Sequence, residues 1–206
     1  MRDYKTIKER AESEFIEKKS RFITYIAPVV SEAEASDFIA EIGAKHREAA
    51  HVVYAYSLLD GQTKRFSDAG EPQGTAGMPT LDVILHKELF NVCIATVRYF
   101  GGILLGTGGL TRAYSKGASD AVAAANVITR TFGDMLTLTL PYNLYGRVSP
   151  FIATKNVALV DSDFGEEVTL TVFSPKAETD ALCAELVELT AANIKIEKID
   201  ELFFDI

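Results

Sequence analysis

The sequence lacks the features that mark several large classes of protein. Its two cysteines, Cys93 and Cys183, are too few and too far apart for a disulfide framework or a zinc site. No stretch approaches the roughly 20 apolar residues that a membrane span needs. The first fifteen residues carry charges with no apolar core behind them, which excludes a signal peptide. We therefore expect a cytoplasmic protein with no membrane segment.

Acidic residues are distributed unevenly along the 206 residues. Up to Thr131 there are 16 Lys and Arg against 16 Asp and Glu, whereas from Phe132 onward there are 5 against 13. The whole net charge of −8 therefore belongs to the last third. Such a shift indicates a domain boundary, so we predict domains at residues 1–131 and 132–206. An acidic second domain argues against non-specific wrapping of nucleic acid.

The pattern of the first domain predicts mixed α and β structure. A capping box of Ser31 and Glu34, with Val30 and Ala35 as a hydrophobic staple, opens a helix. The apolar run at 91–97 predicts a strand covered on both faces. A tight turn is expected at Lys19-Ser20 and another at Asp60-Gly61. The other predicted strands cover 13–18, 21–30, 51–59 and 62–66, and the other predicted helices cover 80–89 and 110–126.

The second domain predicts the order βαββαβ. Its strands are expected at 135–140, 157–160, 166–173 and 194–199, and one helix at 142–155. Ser174 is an expected N-cap, with Pro175 at the first position of the second helix. This order is the ferredoxin-like plan. The predicted fold class is therefore α+β, with two domains.

A glycine-rich segment is the first candidate site. Ten of the fourteen glycines lie between Gly61 and Gly117, and no acidic residue occurs from Tyr99 to Ser119. Glycines let a backbone approach a ligand and expose N–H groups at the start of a helix, which suits an anion. The candidate binding residues are Arg98, Tyr99, Gly101, Gly102, Gly106, Gly108, Gly109, Arg112, Tyr114 and Lys116.

Two features of this segment favour an anion, but a structural interpretation stays open. Arg112 and Lys116 share a helix face in the first turns, where a bound anion would offset the unfavourable helix dipole. Tyr99 and Phe100 could stack on a base. Alternatively, the glycines serve tight turns and close packing, and Arg98 is an ordinary surface residue. The segment matches neither the P-loop nor the complete GxGxxG pattern.

The preceding loop is a second candidate patch, formed by Asp68, Glu71, Gly74 and Thr75. Its two carboxylates could act as an acid–base pair or as metal ligands, or they could accept backbone N–H groups within a turn. We expect no metal site and no cofactor, because the three histidines have no ligand spacing. His51 is expected to be a structural hydrogen-bonding group, and Cys93 a buried, unreactive thiol.

Two stretches resemble the signature of the IMPACT family, specifically its bacterial YigZ branch: DAGEPQGTAGMP at 68–79, and NVCIATVRYFGGILLGTGGLTRAYSKGA at 91–118. The resemblance implies a first domain related to domain IV of elongation factor G and to a small-subunit ribosomal protein domain. It implies a second domain related to domain V of elongation factor G. Eukaryotic members of the family act in translational control.

Two functions remain open at this point. The favoured one is a non-enzymatic binding module that contacts RNA, the ribosome or a translation-factor protein through the glycine-rich basic segment. The alternative is a small-molecule enzyme that acts on a phosphorylated substrate or a nucleotide. In that case Gly106–Gly109 would hold phosphate, and Asp68 or Glu71 would serve as base or magnesium ligand. The sequence does not predict the oligomeric state.

Overall fold

The computed structural model describes residues 3–49, 51–59 and 63–205, which form two compact units. The first unit is Tyr4–Ile128, and the second runs from Thr129 onward together with Asp3. The strands are β1 (Tyr4–Ile7), β2 (Ala11–Glu17), β3 (Ser20–Pro28), β4 (His51–Ser57), β5 (Lys64–Ser67), β6 (Val92–Tyr99), β7 (Val127–Leu140), β8 (Ala158–Phe164), β9 (Val168–Pro175) and β10 (Lys195–Asp205). The helices are α1 (Glu32–Lys45), α2 (Gly77–His86), α3 (Thr107–Ala124), α4 (Tyr142–Ala153) and α5 (Thr179–Leu189).

Strand β6 is the centre of the first unit. The sheet has the order β2-β3-β6-β4-β5, and all its pairs are antiparallel. The residues of β6 from Val92 to Arg98 are buried, because α1 covers one face of the sheet while α2 and α3 cover the other. The apolar run at 91–97 therefore gave a correct prediction of a strand covered on both faces.

The ends of the helices test the predicted caps. Ser31 is the N-cap of α1, and its Oγ accepts the N–H of Glu34 at 3.2 Å. The Glu34 carboxylate accepts a hydrogen bond from the N–H of Val30, rather than from the N–H of Ser31 as a capping box requires. Helices α2 and α3 each begin three residues earlier than predicted, at Gly77 and Thr107. Strand β1 was not predicted, and the turn expected at Asp60-Gly61 lies outside the described residues, as does Gln62.

The second unit has the ferredoxin-like strand order. Its strands run β10-β7-β9-β8, which is 4-1-3-2 in order of appearance, and every pair is antiparallel. The leucines of β7 pack with residues of α4 and α5 in one core. The expected helix cap at Ser174 and Pro175 is wrong, because β9 continues through Pro175, which pairs with Gly133. The α+β, two-domain fold class is confirmed. The predicted boundary at 131/132 lies within β7, a few residues after the division at Ile128.

None of the helices in the described ranges is long and apolar enough to cross a membrane.

Candidate functional site

Arg98 lies inside the first unit, where it joins the two signature stretches. It leaves only 6% of its surface exposed, and its Nη1 donates to Oε1 and Oε2 of Glu71 at 2.8 and 3.1 Å. The hydroxyl of Tyr114, on α3, donates to the same Oε1 at 2.8 Å. Burial raises the pKa of Tyr114, so this phenol stays protonated and remains a donor. Glu71 therefore ties the first stretch to β6 and α3.

Two aromatic rings flank the Arg98 guanidinium. Its central carbon lies 5.6 Å from the centroid of the Phe22 ring and 5.5 Å from that of the Phe100 ring. The Arg98 Nε is buried without a hydrogen-bond partner among the described residues. Arg98 and Tyr114, which the sequence analysis assigned to the binding surface, are thus interior groups. They hold neighbouring residues in place, and they do not belong to the contact surface that was predicted for them.

The predicted second patch also uses its polar groups internally. Asp68 accepts the N–H groups of Gly74, Ala76 and Gly77 at 2.8 to 3.0 Å, which holds the start of α2. Burial acts to raise the pKa of Asp68, but these three N–H donors outweigh it, so the pKa is lowered. Thr75 donates from Oγ1 to the carbonyl of Pro72 at 2.6 Å. Glu71 is held by Arg98, and Asp68 accepts backbone N–H groups. The loop therefore matches the interpretation in which its carboxylates stabilise the structure, rather than the one in which they act as an acid–base pair or metal ligands.

Tyr99 faces the opposite side of the sheet from Arg98, because neighbouring side chains of a strand alternate. Its hydroxyl hydrogen-bonds to Nδ1 of His46 at 2.9 Å, and Nε2 of His46 bonds to the hydroxyl of Tyr25 at 2.9 Å. Burial, followed by the positive charge of Lys45, lowers the pKa of His46. The prediction that Tyr99 joins Arg98 and Arg112 on one surface therefore needs correction.

Several glycines of the second stretch serve the turn between β6 and α3. A Cβ at Gly101 would overlap the backbone of Lys19, and the Gly101 N–H donates to Oγ of Ser20 at 3.2 Å. Gly102 and Gly106 have φ values of 81° and 73°, which favour glycine. The turn therefore rests on the connection between β2 and β3. That connection has Lys18 and Lys19 in left-handed conformations, one residue earlier than predicted.

An exposed groove remains between this connection and the first turns of α3. We call it the α3 groove. It has a volume of about 240 Å³ and is lined by Phe15, Glu17, Lys18, Leu105, Gly109, Arg112, Ala113 and Lys116. The N-cap of α3 is Gly106, which offers no side-chain cap to the first N–H groups of the helix. Gly109 of the first turn of α3 lines one wall of the groove together with the cations Arg112 and Lys116.

The cations of the α3 groove differ in their partners. Lys116 forms a salt bridge with Asp120, and its Nζ lies 4.9 Å from the centroid of the Phe15 ring. Among residues 3–49, 51–59 and 63–205, neither Arg112 nor Lys18 has a salt-bridge partner, and the same holds for Lys19. Nη1 of Arg112 lies 3.6 Å from the position of a Cβ at Gly108, over the first turn of α3. An anion in the α3 groove would meet unpaired positive charge.

Lys18, Lys19 and Phe15 also belong to this region, and no sequence signal predicted them. They come from β2 and its turn, more than eighty residues before the glycines. The pairing of β2 with β3, the packing of Gly101 on Lys19 and the contact of Phe15 with Lys116 bring them there. Two predictions beside the site are confirmed: His51 bonds through Nδ1 to the carbonyl of Ala69, and burial raises the pKa of Cys93 to about 12. Within the described ranges, no three or more His, Cys, Asp or Glu side chains are grouped so that they could hold a metal ion.

The fold defines the class of this protein, which is an α+β protein with two domains. The chain matches the Impact N-terminal domain over residues 18–122, and a domain of unknown function (DUF1949) over residues 138–193. It is 33% identical to the IMPACT family member YvyE of Bacillus subtilis over 199 residues, with 96% of this chain and 92% of that protein covered. The chain therefore belongs to the IMPACT family.

A second relative and a solved structure agree with this assignment. The IMPACT family member YigZ of Escherichia coli is 33% identical over 187 residues, which cover 89% of this chain and 92% of that protein. A crystal structure described as that of a hypothetical protein superimposes with a TM-score of 0.63 at 30% identity, covering 97% of this chain and 98% of the other. The similarity spans both units.

Proposed function

We propose that this chain is a non-enzymatic cytoplasmic module that binds RNA of the translation machinery through the α3 groove and the turn beside it. The observation that carries the proposal is that Lys18 and Arg112, which have no salt-bridge partner in the described ranges, line the α3 groove at a helix start without a side-chain cap. Lys19, likewise without a salt-bridge partner there, lies in the turn beside the groove. The translational role of eukaryotic members of the family supports the choice of partner.

The energetics of Arg112 support a phosphate ligand. A guanidinium over the first turn of a helix opposes the helix dipole, and Arg112 has no carboxylate among the described residues to compensate. A phosphate would accept hydrogen bonds from the guanidinium and from the free N–H groups of the same turn. Because several cations participate, release of counterions makes such binding sensitive to salt. Glu17 at the rim of the groove limits its affinity for anions.

The enzyme alternative has less support. It required Asp68 or Glu71 as a base or magnesium ligand, but both carboxylates already accept hydrogen bonds from groups of the protein. Glu71 is buried, with a cation and a phenol on the same oxygen. A substrate would have to displace these internal bonds. We therefore retain the binding module as the proposal.

Sedimentation with ribosomes tests this function. The chain and the variant Lys18→Gln/Lys19→Gln/Arg112→Gln are centrifuged with ribosomes through sucrose at 50 and 200 mM salt. Arg98 is a poor choice for this test, because its removal would disturb the core. We expect the natural chain to sediment with ribosomes at low salt, less at high salt, and the variant to remain at the top of the gradient.

A control variant changes two cations at the far edge of the same sheet. Lys64→Gln/Arg65→Gln, on β5, also removes exposed positive charge, and should leave sedimentation unchanged. If both variants lose sedimentation equally, the binding depends on the net charge of the protein and not on the α3 groove. Failure of the natural chain to sediment at low salt would overturn a ribosomal role.

A further inference from the structure

Phe100 is an exposed aromatic ring on a rigid support. The side chain is at the surface, with 54% of the residue exposed, and the Arg98 guanidinium lies over its ring. Arg98 is in turn fixed by Glu71 and backed by Phe22. A large apolar side chain is therefore held at the surface by a buried ionic network. Such a ring suits stacking with a planar ligand on its free side.

The cations lie next to this ring. Phe100 precedes Gly101, which packs on the backbone of Lys19, and Lys18 and Arg112 line the α3 groove immediately beyond. Ile103 and Leu104 add exposed apolar surface on the same turn, Leu104 being 81% exposed. Exposed apolar side chains on this turn thus lie beside a groove that is lined by cations. Aromatic platforms next to cations are typical of proteins that bind single-stranded nucleic acid.

The chemistry of this path distinguishes between anionic partners. A base paired in a duplex is already stacked on both faces, so only an unpaired base can occupy the free side of Phe100. A lipid surface would also attract cations and apolar side chains. However, Arg112 and Lys18 line a groove of about 240 Å³, which a phosphate of a flexible strand can enter and a bilayer surface cannot follow.

We propose that the turn from Phe100 to Gly109 binds single-stranded RNA, with one unpaired base stacked on Phe100 and a phosphate held in the α3 groove between Lys18 and Arg112. This inference rests on the proposed function and narrows its ligand from RNA in general to an unpaired segment. In this proposal the exposed face of Phe100 stacks on a base, while the buried Arg98 guanidinium holds the ring from its other side.

Fluorescence anisotropy with defined RNA tests the inference. The probes are a labelled 12-nucleotide oligouridylate and a labelled 12-base-pair RNA duplex, each titrated with the full chain. We expect the single strand to bind about tenfold more tightly than the duplex, the effect of one stacked base. Phe100→Leu keeps an apolar cover over Arg98 but removes the ring, and should weaken single-strand binding about tenfold while leaving duplex binding unchanged.

Two further variants locate the two contacts. Phe66→Leu changes another exposed aromatic residue, on β5 at the far edge of the sheet, and should leave both affinities unchanged. Arg112→Gln should weaken the binding of both probes. It should also lower the magnitude of the slope of log affinity against log salt by about one. Circular dichroism and thermal melting confirm that every variant remains folded.

The possible failures are distinguishable. Equal affinity for single strand and duplex, or no effect of Phe100→Leu, overturns the stacking inference while leaving the proposed RNA-binding function intact. If the chain sediments with ribosomes but does not bind oligouridylate, the stacking inference is likewise overturned and the proposed function stands. If the chain neither sediments with ribosomes nor binds oligouridylate, both the inference and the proposed function are overturned. Binding to vesicles of phosphatidylcholine and phosphatidylserine, with no RNA binding, assigns the surface to lipid instead.

Discussion

The charged groups of the two signature stretches fall into a buried set and an exposed set. The buried set joins the stretches: Asp68 holds the start of α2, and Glu71 of the first stretch, residues 68–79, holds Arg98 and Tyr114 of the second, residues 91–118. The exposed set lies at the start of α3, where Arg112 faces solvent with no salt-bridge partner in the described ranges. The buried set stabilises the fold that presents the exposed set.

This difference separates the residues that stabilise the fold from those that remain available for binding. A charge that is buried with its partner contributes to stability only while both members are present. A cation exposed at a groove contributes little to stability and remains available to a ligand. Variants of the buried set should therefore change the free energy of unfolding, and variants of the exposed set should change ligand binding.

Arg98→Ala should cause the largest loss of stability. It leaves the Glu71 carboxylate buried without its cation, at a cost of about 3–5 kcal/mol. Urea unfolding followed by circular dichroism measures the change. The double variant Arg98→Met/Glu71→Met serves as the control: with the unpaired charge also removed, it should be clearly more stable than Arg98→Ala. A loss below about 1 kcal/mol for Arg98→Ala would contradict the buried pair.

Asp68→Ala should cost less, about 2 kcal/mol, because three backbone N–H groups lose a charged acceptor at a site that water can partly reach. The same urea experiment applies. Asp37→Ala, an exposed position on α1, is the matched control and should be nearly neutral. If both alanine variants lose the same stability, the loop is not held by its aspartate.

The acid sensitivity of the first stretch follows from the same carboxylate. The pKa of Asp68 is lowered in the folded protein, so its contribution to stability is present above the ordinary aspartate range and is lost as pH falls through the lowered value. Asp68→Asn removes this dependence. Unfolding measured from pH 6 to pH 3 should therefore show a shallower decline in stability for the variant. If the plots of stability against pH run parallel for the natural chain and the variant, Asp68 is not a source of acid sensitivity.

Arg112→Gln should have the smallest effect on stability, within about 0.5 kcal/mol, because the side chain has no salt bridge to lose among the described residues. It could even stabilise α3 slightly by removing a cation from its first turns. Thermal melting checks this, and Lys116→Gln, which breaks the pair with Asp120, is the comparison. A large loss of stability for Arg112→Gln would place this arginine with the buried set.

The sequence predicted those parts of the fold that depend on local pattern. Ser31 marked the start of α1, and the apolar run before Arg98 marked a strand covered on both faces. The order of strands and helices in the second unit was also correct. The errors lie where tertiary contacts override local preference: Ser174 and Pro175 look like a helix start, but pairing with β7 extends β9 through them.

The candidate site was predicted less completely, and the reasons are geometric. Period-two alternation separates Arg98 from Tyr99, yet sequence alone does not say which face of a fully buried strand adjoins which helix. The signature also gives no sign that Glu71, far along the chain, neutralises Arg98. The lysines at the turn between β2 and β3 carry no motif. They come to the α3 groove through tertiary contacts, in which β2 pairs with β3 and Gly101 packs on Lys19.

By itself, then, the sequence determined the family, the two-domain α+β class, and a long segment without acidic residues that begins beside Arg98. These follow from residue type and spacing along the chain. Only the tertiary structure decided which charges are paired inside and which face solvent. That distinction depends on distances between residues remote in sequence, and it makes Arg98 a support within the core and leaves Arg112 free to bind.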